Sequence, residues 1–400
     1  MMKLFARIFQ GIMWLACHLI NWRQPKCFKG ENCREEFVKS MVEKNHKNML
    51  LVTDKGISNL GLYVPLKELM EKNGINVFVY DEVAPNPTVK MIEAGLEIYK
   101  NNNCDGLVAF GGGSAMDCAK GIGARAVKPH KSVNKMAGLF KILKRIPDLY
   151  AVPTTAGTGS ETTVAAVITD DETHHKYAIN DISLIPRYAL LDPTITIGLP
   201  PIITATTGMD ALVHAVEAYI GKANVRYTKE SARKAVKLIF ENLEKVYSKP
   251  DDLEGRANML EASYEAGVAF TRAYVGCIHS VSHSISGKYG VAHGYGNAVI
   301  MPHVLKYYGH KAWKPLAELA DLVGIGNEND GIATKANKFI KEIENMNERM
   351  GIPKTIQTAK IKEEDIDEMA NNAYKEGFFL YPTPRILNKN ELKQIYYTVM

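Results

Sequence analysis

Short apolar runs alternate with segments of helical periodicity in the first half of the chain. Residues 48–54 (NMLLVTD) and 75–81 (INVFVYD) have the length and composition of buried strands, and each is followed by a segment with helical spacing. Two further strand-like runs, DGLVAFGGGS at 105–114 and DLYAVPTTAGTGSE at 148–161, lead directly into loops rich in glycine or threonine. This alternation predicts a parallel sheet covered by helices on both faces.

The pattern changes at about residue 199, after which almost every segment is helical. In ESARKAVKLIFENLEKVY, for example, Ala232, Val236, Ile239 and Leu243 recur at helical spacing. We therefore predict an α/β domain over residues 25–198 and an all-helical domain over residues 199–400, preceded by an extension over residues 1–24. The cleft between the two domains is the expected ligand site.

The N-terminal extension has its own pattern. In MKLFARIFQGIMWLACHLI, apolar side chains at Phe5, Ile8, Ile12, Leu15 and Leu19 fall at helical spacing, which predicts an amphipathic helix. The run is too short and too interrupted for a membrane-spanning helix, and no A-x-A-like cleavage site follows it. We expect this helix to pack on the body of the protein or on a partner subunit, and a membrane-surface role is the weaker alternative.

Composition and charge are those of an ordinary globular protein. The 49 basic and 44 acidic side chains give a net charge of +5, and this mixed balance does not suggest nucleic acid as a partner. The six cysteines form no CxxC pair, so we interpret them as thiols in a reducing compartment, which predicts a cytoplasmic location.

Two loops in the α/β half have the chemistry of phosphate binding. Gly111, Gly112 and Gly113 stand between a strand and a helix, where the backbone and the helix N-terminus can approach an anion closely. The second loop, PTTAGTGSE, adds hydroxyl groups after another strand. The usual G-x-G-x-x-G fingerprint is absent, and a plain tight turn is the alternative for the first loop. Together, two such loops at successive strand ends favour a nucleotide site.

Asp54 ends the first long strand, where a carboxylate can accept hydrogen bonds from ribose hydroxyls. It would also repel a 2′-phosphate, so it favours NAD over NADP. The alternative is that Asp54 caps the following helix.

A second cluster of chemistry lies in the helical half. Asp210 and His214 are four residues apart and share a helix face, and the stretch IHSVSHSISGKYGVAHG contributes His279, His283 and His293. A carboxylate with several imidazoles suits Fe(II) or Zn(II), although core histidines remain the alternative. Spacing alone does not decide which histidines bind the metal.

These motifs resemble the iron-dependent (group III) alcohol dehydrogenase family from about Pro25 to the C-terminus. The resemblance rests on YDEVAPNPT, GGGSAMDCAK, PTTAGTGSE, TATTGMDALVHAVEAY and HSVSHSISGKYGVAHGYGNAVIMPHV in combination. It implies a Rossmann-like N-terminal domain with a parallel sheet and an all-helical C-terminal domain, an architecture shared with dehydroquinate synthases. It also implies a homodimer.

The resemblance assigns the site residues by motif position. It places the metal ligands at Asp210, His214, His279 and His293, and an additional histidine beside the nicotinamide at His283. It implies that NAD is bound by Asp54, Asn86, Gly112, Gly113, Ser114, Asp117, Thr154, Thr155, Thr158, Ser160 and Lys176. Arg272 and Tyr274 depart from the family pattern, which carries smaller or amide side chains near the substrate, and this puts the substrate pocket in doubt.

The resulting hypothesis is a metal-dependent oxidoreductase that transfers a hydride between a primary alcohol, or its aldehyde, and NAD(H). Fe(II), or alternatively Zn(II), would act as a Lewis acid toward the alcohol oxygen, and His283 would move the proton. The rivals are a zinc-dependent polyol or glycerol dehydrogenase, a lyase on the same fold, and a non-catalytic relative tethered to a membrane by its N-terminal helix.

Overall fold

The computed structural model describes residues 2–20, 22–172 and 176–400. The strands are β1 (Lys26–Lys29), β2 (Asn48–Asp54), β3 (Asn76–Val83), β4 (Gly106–Gly111), β5 (Gly138–Leu139), β6 (Asp148–Pro153), β7 (Ala165–Thr169), β8 (Lys176–Asn180) and β9 (Tyr188–Leu191). The helices are α1 (Met2–His18), α2 (Arg34–Glu43), α3 (Lys55–Asn59), α4 (Val64–Lys72), α5 (Val89–Asn101), α6 (Gly113–Val127), α7 (Pro201–Ile220), α8 (Arg226–Ser248), α9 (Leu253–Ala273), α10 (Cys277–Tyr289), α11 (His293–Tyr308), α12 (His310–Leu322), α13 (Ile332–Arg349), α14 (Ile366–Leu380) and α15 (Lys389–Val399).

The chain forms two compact units. One comprises Trp22–Gly198, and the other joins Met1–Asn21 to Leu199–Met400. The N-terminal helix α1 therefore belongs to the helical unit, although it precedes the α/β unit in sequence.

The α/β unit contains a six-stranded sheet in the order β1-β9-β6-β4-β2-β3, in which every pairing is parallel. Alternate residues of its central strands supply two separate apolar clusters, because successive side chains point to opposite faces. Leu50 and Val52 of β2 belong to one cluster, and Met49 and Leu51 to the other. The predicted parallel sheet with two covered faces is confirmed. A small second sheet has the order β5-β8-β7.

Because β2, β4 and β6 are adjacent and parallel, their carboxyl ends meet at one edge of the sheet. Asp54 ends β2, the Gly111–Gly113 turn begins at the last residue of β4, and Thr154 follows β6, so the fold places the predicted nucleotide loops side by side.

The helical unit is organised around α7, which is buried almost continuously from Thr204 to Ile220. A helix surrounded on all sides must approach its neighbours closely, and Gly208 permits this: a Cβ there would lie 2.3 Å from Leu243 of α8. The predicted apolar positions of α8 all lie buried. No helix in the described part of the chain is long and apolar enough to cross a lipid bilayer.

At the amino end of the sheet, His46 lies between two carboxylates. Its Nδ1 is 2.7 Å from Asp105 Oδ1, and its Nε2 is 3.8 Å from Asp148 Oδ2. Burial disfavours the imidazolium, but the two carboxylates outweigh it and raise the pKa of His46.

We predict that His46 makes the stability of the protein depend on pH. Because its folded pKa lies above the unfolded value of about 6.5, the stabilisation is full below that pH and is lost as the pH rises through the folded pKa. His46→Asn should therefore lower the melting temperature at pH 6, by about 2–4 °C, more than at pH 9. An effect of His46→Asn on the melting temperature that is the same at both pH values would contradict this. His130→Asn, at an exposed position of the same unit, is the control.

Candidate metal and nucleotide sites

Three helices bring the predicted metal ligands together. Asp210 and His214 lie on α7, His279 on α10, and His293 begins α11. One potential ligand atom from each of the four side chains lies within 4.8 Å of the others. Asp210, His214 and His279 are buried, and His293 is partly exposed.

The two predicted ligands on α7 are positioned by its helical spacing. Asp210 and His214 are one turn apart, with 3.9 Å between Oδ2 and Nδ1. The ring of His214 stacks on Phe270 of α9, with centroids 4.2 Å apart, and lies 4.6 Å from the ring of His279. This packing fixes the orientation of the imidazole before any metal binds.

His279 is oriented by Glu217, a buried carboxylate farther along α7. Glu217 accepts hydrogen bonds of 2.7 Å from the backbone N–H groups of Gly276 and Ile278, and its Oε2 lies 2.7 Å from His279 Nδ1. Since the carboxylate acts as an acceptor, Nδ1 carries the proton and Nε2 presents its lone pair. A histidine held in this way is the usual metal ligand with an outer carboxylate partner.

The electrostatics of His279 also suit a ligand. Burial, together with the neighbouring imidazoles of His214, His293 and His283, lowers its pKa well below the usual value. The side chain therefore stays neutral, as metal binding requires.

Close backbone contact between α11 and α7 positions His293. A Cβ on the next residue, Gly294, would lie 2.5 Å from the carbonyl oxygen of Thr206 and 3.3 Å from Asp210 Cβ. Glycine is therefore needed for His293 to stand beside Asp210, and His293 Nε2 lies 3.6 Å from Asp210 Oδ1.

The amide of Asn297 shows that the ligand atoms point toward a common centre. Its Nδ2 lies 2.6 Å from Asp210 Oδ1, 3.2 Å from His279 Nε2 and 3.1 Å from His293 Nε2. Three electron-pair donors converge on one small region, which is the arrangement that a cation requires. A carboxylate with three imidazoles fits Fe(II) or Zn(II).

His283 lies one turn after His279 and beside the ligand set. Its ring stacks on that of His293, with centroids 5.2 Å apart, and its Nδ1 is 2.7 Å from Glu376 Oε1 on α14. Tyr381 donates a second hydrogen bond, of 2.6 Å, to the same oxygen. Burial opposes the charged form, but the His283 imidazole and the hydrogen bonds lower the pKa of Glu376, so it is a carboxylate.

The two predicted phosphate loops of the α/β unit lie against each other. Gly112 caps the N-terminus of α6, and a Cβ on it would lie 3.4 Å from Thr155 Oγ1. A Cβ on Gly113 would lie 3.2 Å from Thr158 Cγ2. Backbone N–H groups of Gly113 and Ser114 at the start of α6, with threonine hydroxyls beside them, form a cradle suited to an anion.

Two side chains of α6, Asp117 and Lys120, bind the second loop and the strand that follows it. Asp117 of α6 accepts hydrogen bonds from Ser160 Oγ at 3.2 Å and from the Val167 backbone at 3.1 Å. Lys120 donates to the carbonyl oxygens of Ser160, Thr163 and Ala165. Burial raises the pKa of Asp117 and lowers that of Lys120. Asp117 thus contacts the second loop through Ser160 and β7 through Val167.

Of the remaining predicted cofactor residues, Asp54 and Thr154 lie at the edge of the sheet, and Asn86 and Lys176 form a separate pair. Asp54 Oδ1 accepts a hydrogen bond of 3.0 Å from Ile57 N and so caps α3, the alternative role considered for it. Asn86 Oδ1 accepts a 2.8 Å hydrogen bond from Lys176 Nζ, which joins the loop that contains Asn86-Pro87-Thr88 to β8. Thr154 donates its N–H to Gly111 O across the strand ends.

Sequence reasoning missed Glu217, Asn297 and Glu376. The first two had a signal: Glu217 continues the Asp210–His214 face of α7, and Asn297 lies one turn after His293. Glu376 is 93 residues from His283, and no local pattern connects them.

The two departures expected near the substrate contact the N-terminal helix instead. Arg272 is buried, and its Nη2 lies 3.2 Å from His18 Nδ1. The Tyr274 hydroxyl lies 3.6 Å from Cys17 Sγ. Tyr274 and one amino group of Arg272 thus contact α1, while Nη1 of Arg272 donates to the carbonyl oxygen of Ala223.

Comparison with known proteins gives one consistent result. Residues 24–193 match the family described as iron-containing alcohol dehydrogenase, and residues 204–400 match the C-terminal domain of the same family. The chain is 39% identical to alcohol dehydrogenase 4 of Schizosaccharomyces pombe over 87% of its own length and 81% of that protein. It is 35% identical to the NAD-dependent methanol dehydrogenase of Bacillus methanolicus, over 93% and 97%.

Among solved structures, 1,3-propanediol oxidoreductase superposes with a TM-score of 0.91 at 35% identity, covering 95% of this chain and 99% of that one. The chain belongs to the iron-containing alcohol dehydrogenase family. It is an NAD-dependent oxidoreductase acting on alcohols and aldehydes, which confirms the predicted function, fold and cofactor class. The comparisons do not favour the rival activities.

Replacing Gly294 by alanine should weaken metal binding. The added Cβ meets a backbone oxygen of α7, so the start of α11 must move and carry His293 away from Asp210. We expect affinity for Fe(II) or Zn(II) to fall about tenfold or more, measured by metal content after dialysis against graded chelator.

Gly287→Ala is the matched control, because a Cβ at this position of α10 meets no described atom within 4 Å. Equal metal content in the two variants would contradict the role given to Gly294.

Proposed function

We propose that Asp210, His214, His279 and His293 hold one divalent metal ion and that the enzyme interconverts short primary alcohols and aldehydes with NAD(H). The observation that carries this proposal is that one ligand atom from each of these four side chains lies within 4.8 Å of the other three. Fe(II) is the expected metal, and Zn(II) is the alternative because it binds such sites more tightly.

A divalent metal at this site would supply Lewis acidity toward the alcohol or aldehyde oxygen. The protein's contribution is to arrange the ligands beforehand. Glu217 directs His279 Nε2 inward, Phe270 fixes the plane of His214, and Gly294 lets His293 approach α7. Turnover also requires a coordination position beyond the four protein ligands.

His283 is the proposed proton carrier. Its Nδ1 is engaged by Glu376, so proton exchange takes place at Nε2. The side chain of His283 is 37% exposed, whereas that of His279 is 3% exposed, so His283 can pass a proton toward water. Tyr381, by hydrogen bonding to Glu376, holds the carboxylate in place.

For the nucleotide, we propose that the cradle formed by Gly112, Gly113, Ser114, Thr155 and Thr158 binds the pyrophosphate. Bound NAD would accept or supply the hydride. Asp54, at the edge of the same sheet, is proposed to bind the adenosine ribose and to disfavour a 2′-phosphate. Its contact with Ile57 uses Oδ1.

The supporting residues complete the proposed cofactor set. Thr154, Ser160 and Asp117 connect the two loops, and Asn86 with Lys176 forms a polar pair. Burial lowers the pKa of Lys176.

Short substrates are proposed because similar proteins are named for methanol and 1,3-propanediol. A cytoplasmic location remains a proposal, supported by six cysteines that form no disulfide. The homodimer stays a prediction, which light scattering of the purified protein would test.

The first test is anaerobic NADH oxidation with short aldehydes after the metal has been removed and Fe(II) or Zn(II) restored separately. We expect the stripped enzyme to be inactive and Fe(II) to restore turnover. His279→Ala should lose at least about a hundredfold in kcat together with its metal. NADPH should be used far less well than NADH.

His310→Ala, an exposed histidine of α12 outside the cluster, is the control and should keep both activity and metal. Full activity and metal content in His279→Ala would disprove the ligand set. NADH binding without turnover by either metal would instead disprove the substrate class.

A further inference from the structure

Helix α1 is docked with its small and polar side toward the protein. Ala6, Gln10 and Cys17 are its buried residues. Gln10 Nε2 donates to the carbonyl oxygens of Phe378 and Tyr381, and Arg7 donates to that of Thr383. These contacts anchor the helix through hydrogen bonds to backbone oxygens of α14 and the segment that follows it.

The opposite side of α1 is apolar and faces water. Its side chains form one stripe with no charged residue in it, and between 53% and 89% of their surface is exposed: Leu4, Phe5, Ile8, Ile12, Leu15 and Leu19. A surface helix normally buries its apolar stripe and exposes its polar face. Here the arrangement is reversed, so the stripe is presented to a partner outside the chain.

The apolar surface continues onto α14. The ring of Phe379, which is itself partly exposed, lies 6.3 Å from Phe5 and 6.2 Å from Phe9 in edge-on contacts. One turn earlier on α14, Lys375 is exposed. Aromatic rings at the border of an apolar stripe, with cations beside them, are typical of helices that lie in a membrane interface.

The N-terminal segment of the chain is basic. Of 49 basic and 44 acidic residues, residues 1–30 hold five basic ones (Lys3, Arg7, Arg23, Lys26 and Lys29) and no acidic one, so residues 31–400 hold 44 of each. Lys3 and Arg7 lie on α1, which holds no acidic residue, whereas Arg23, Lys26 and Lys29 belong to the α/β unit.

Further cations adjoin α1 within the helical unit. Lys222 and Lys311 are exposed. Partial burial lowers the pKa of Lys222, and the positive charges of Arg7 and Lys311 lower it further. These three side chains thus form a local cluster of positive charge.

We propose that α1 binds this enzyme to the surface of a membrane that contains anionic lipids. The stripe formed by Leu4, Phe5, Ile8, Ile12, Leu15 and Leu19 would enter the interface between headgroups and acyl chains. The exposed lysines of the helical unit, Lys222, Lys311 and Lys375, would contact lipid phosphates. The helix lies along the surface and does not cross, in keeping with its length and its inward-facing polar residues. The packing of α1 on the body of the protein, expected from the sequence, is confirmed, and the membrane-surface role that was the weaker alternative is proposed in addition to it.

Charge favours lipid over a second copy of the chain as the occupant. A symmetric contact between two α1 stripes would place two copies of α1 side by side, each carrying Lys3 and Arg7 and no acidic residue. Anionic headgroups neutralise that charge, and the contact should therefore weaken as salt screens it.

The test is co-sedimentation of the full-length enzyme with vesicles of phosphatidylcholine alone or mixed with phosphatidylglycerol. The wild type should bind the mixed vesicles, at least about tenfold more strongly than neutral ones, and binding should decline between about 0.05 M and about 0.5 M NaCl. Ile8→Glu/Ile12→Glu should reduce binding about tenfold or more, while turnover with NADH and aldehyde stays unchanged, because both side chains point to water.

Ile332→Glu, which changes an equally exposed isoleucine at the start of α13, is the matched control and should bind as the wild type does. Lack of binding to anionic vesicles would overturn the proposal, as would equal binding to neutral vesicles. Self-association that the double variant abolishes, without lipid binding, would identify the stripe as a contact between copies and would also overturn it.

Discussion

The proposed metal site depends on one buried carboxylate. Glu217 of α7 accepts hydrogen bonds from the backbone N–H groups of Gly276 and Ile278 and from the His279 ring. Burial raises the pKa of Glu217 to about 8, but three donors directed at it need an acceptor, so the ionised form is the one that satisfies them. Leaving buried donors unpaired costs about 1–3 kcal/mol each, so this carboxylate ties the start of α10 firmly to α7.

From that contact the rest of the cluster follows. Once α10 is placed, His279 Nε2 faces Asp210 and His214, whose positions are set by one turn of α7. Gly276 is required for the same reason as Gly294: a Cβ on Gly276 would lie 2.7 Å from Glu217 Oε1. In the α/β unit, the corresponding constraint is the parallel pairing of β2, β4 and β6, which brings Asp54 and the two loops to one edge. Backbone packing thus fixes both the predicted metal ligands and the predicted nucleotide loops before any ligand binds.

Much of this could be predicted from the sequence, because helical spacing and strand periodicity are local properties. Asp210 and His214 had to share a face, and apolar runs entering glycine loops had to be strands ending in tight turns. The choice among His279, His283 and His293 could not be made from spacing, since all three lie within 15 residues and the structure separates them through distant partners, Glu217 and Glu376. Periodicity also predicted an amphipathic α1 but not which face would turn inward, because hydrogen bonds from Arg7 and Gln10 to carbonyl oxygens far along the chain decide that.

The central claim is that four side chains of the helical unit hold one metal ion, and anomalous diffraction at the iron absorption edge tests it most directly. Crystals of enzyme restored with Fe(II) under anaerobic conditions should show one peak, about 2.0–2.3 Å from an Asp210 oxygen and from one nitrogen each of His214, His279 and His293. A peak that lies on His283 and Glu376, or no peak in this cluster from fully active crystals, would contradict the account.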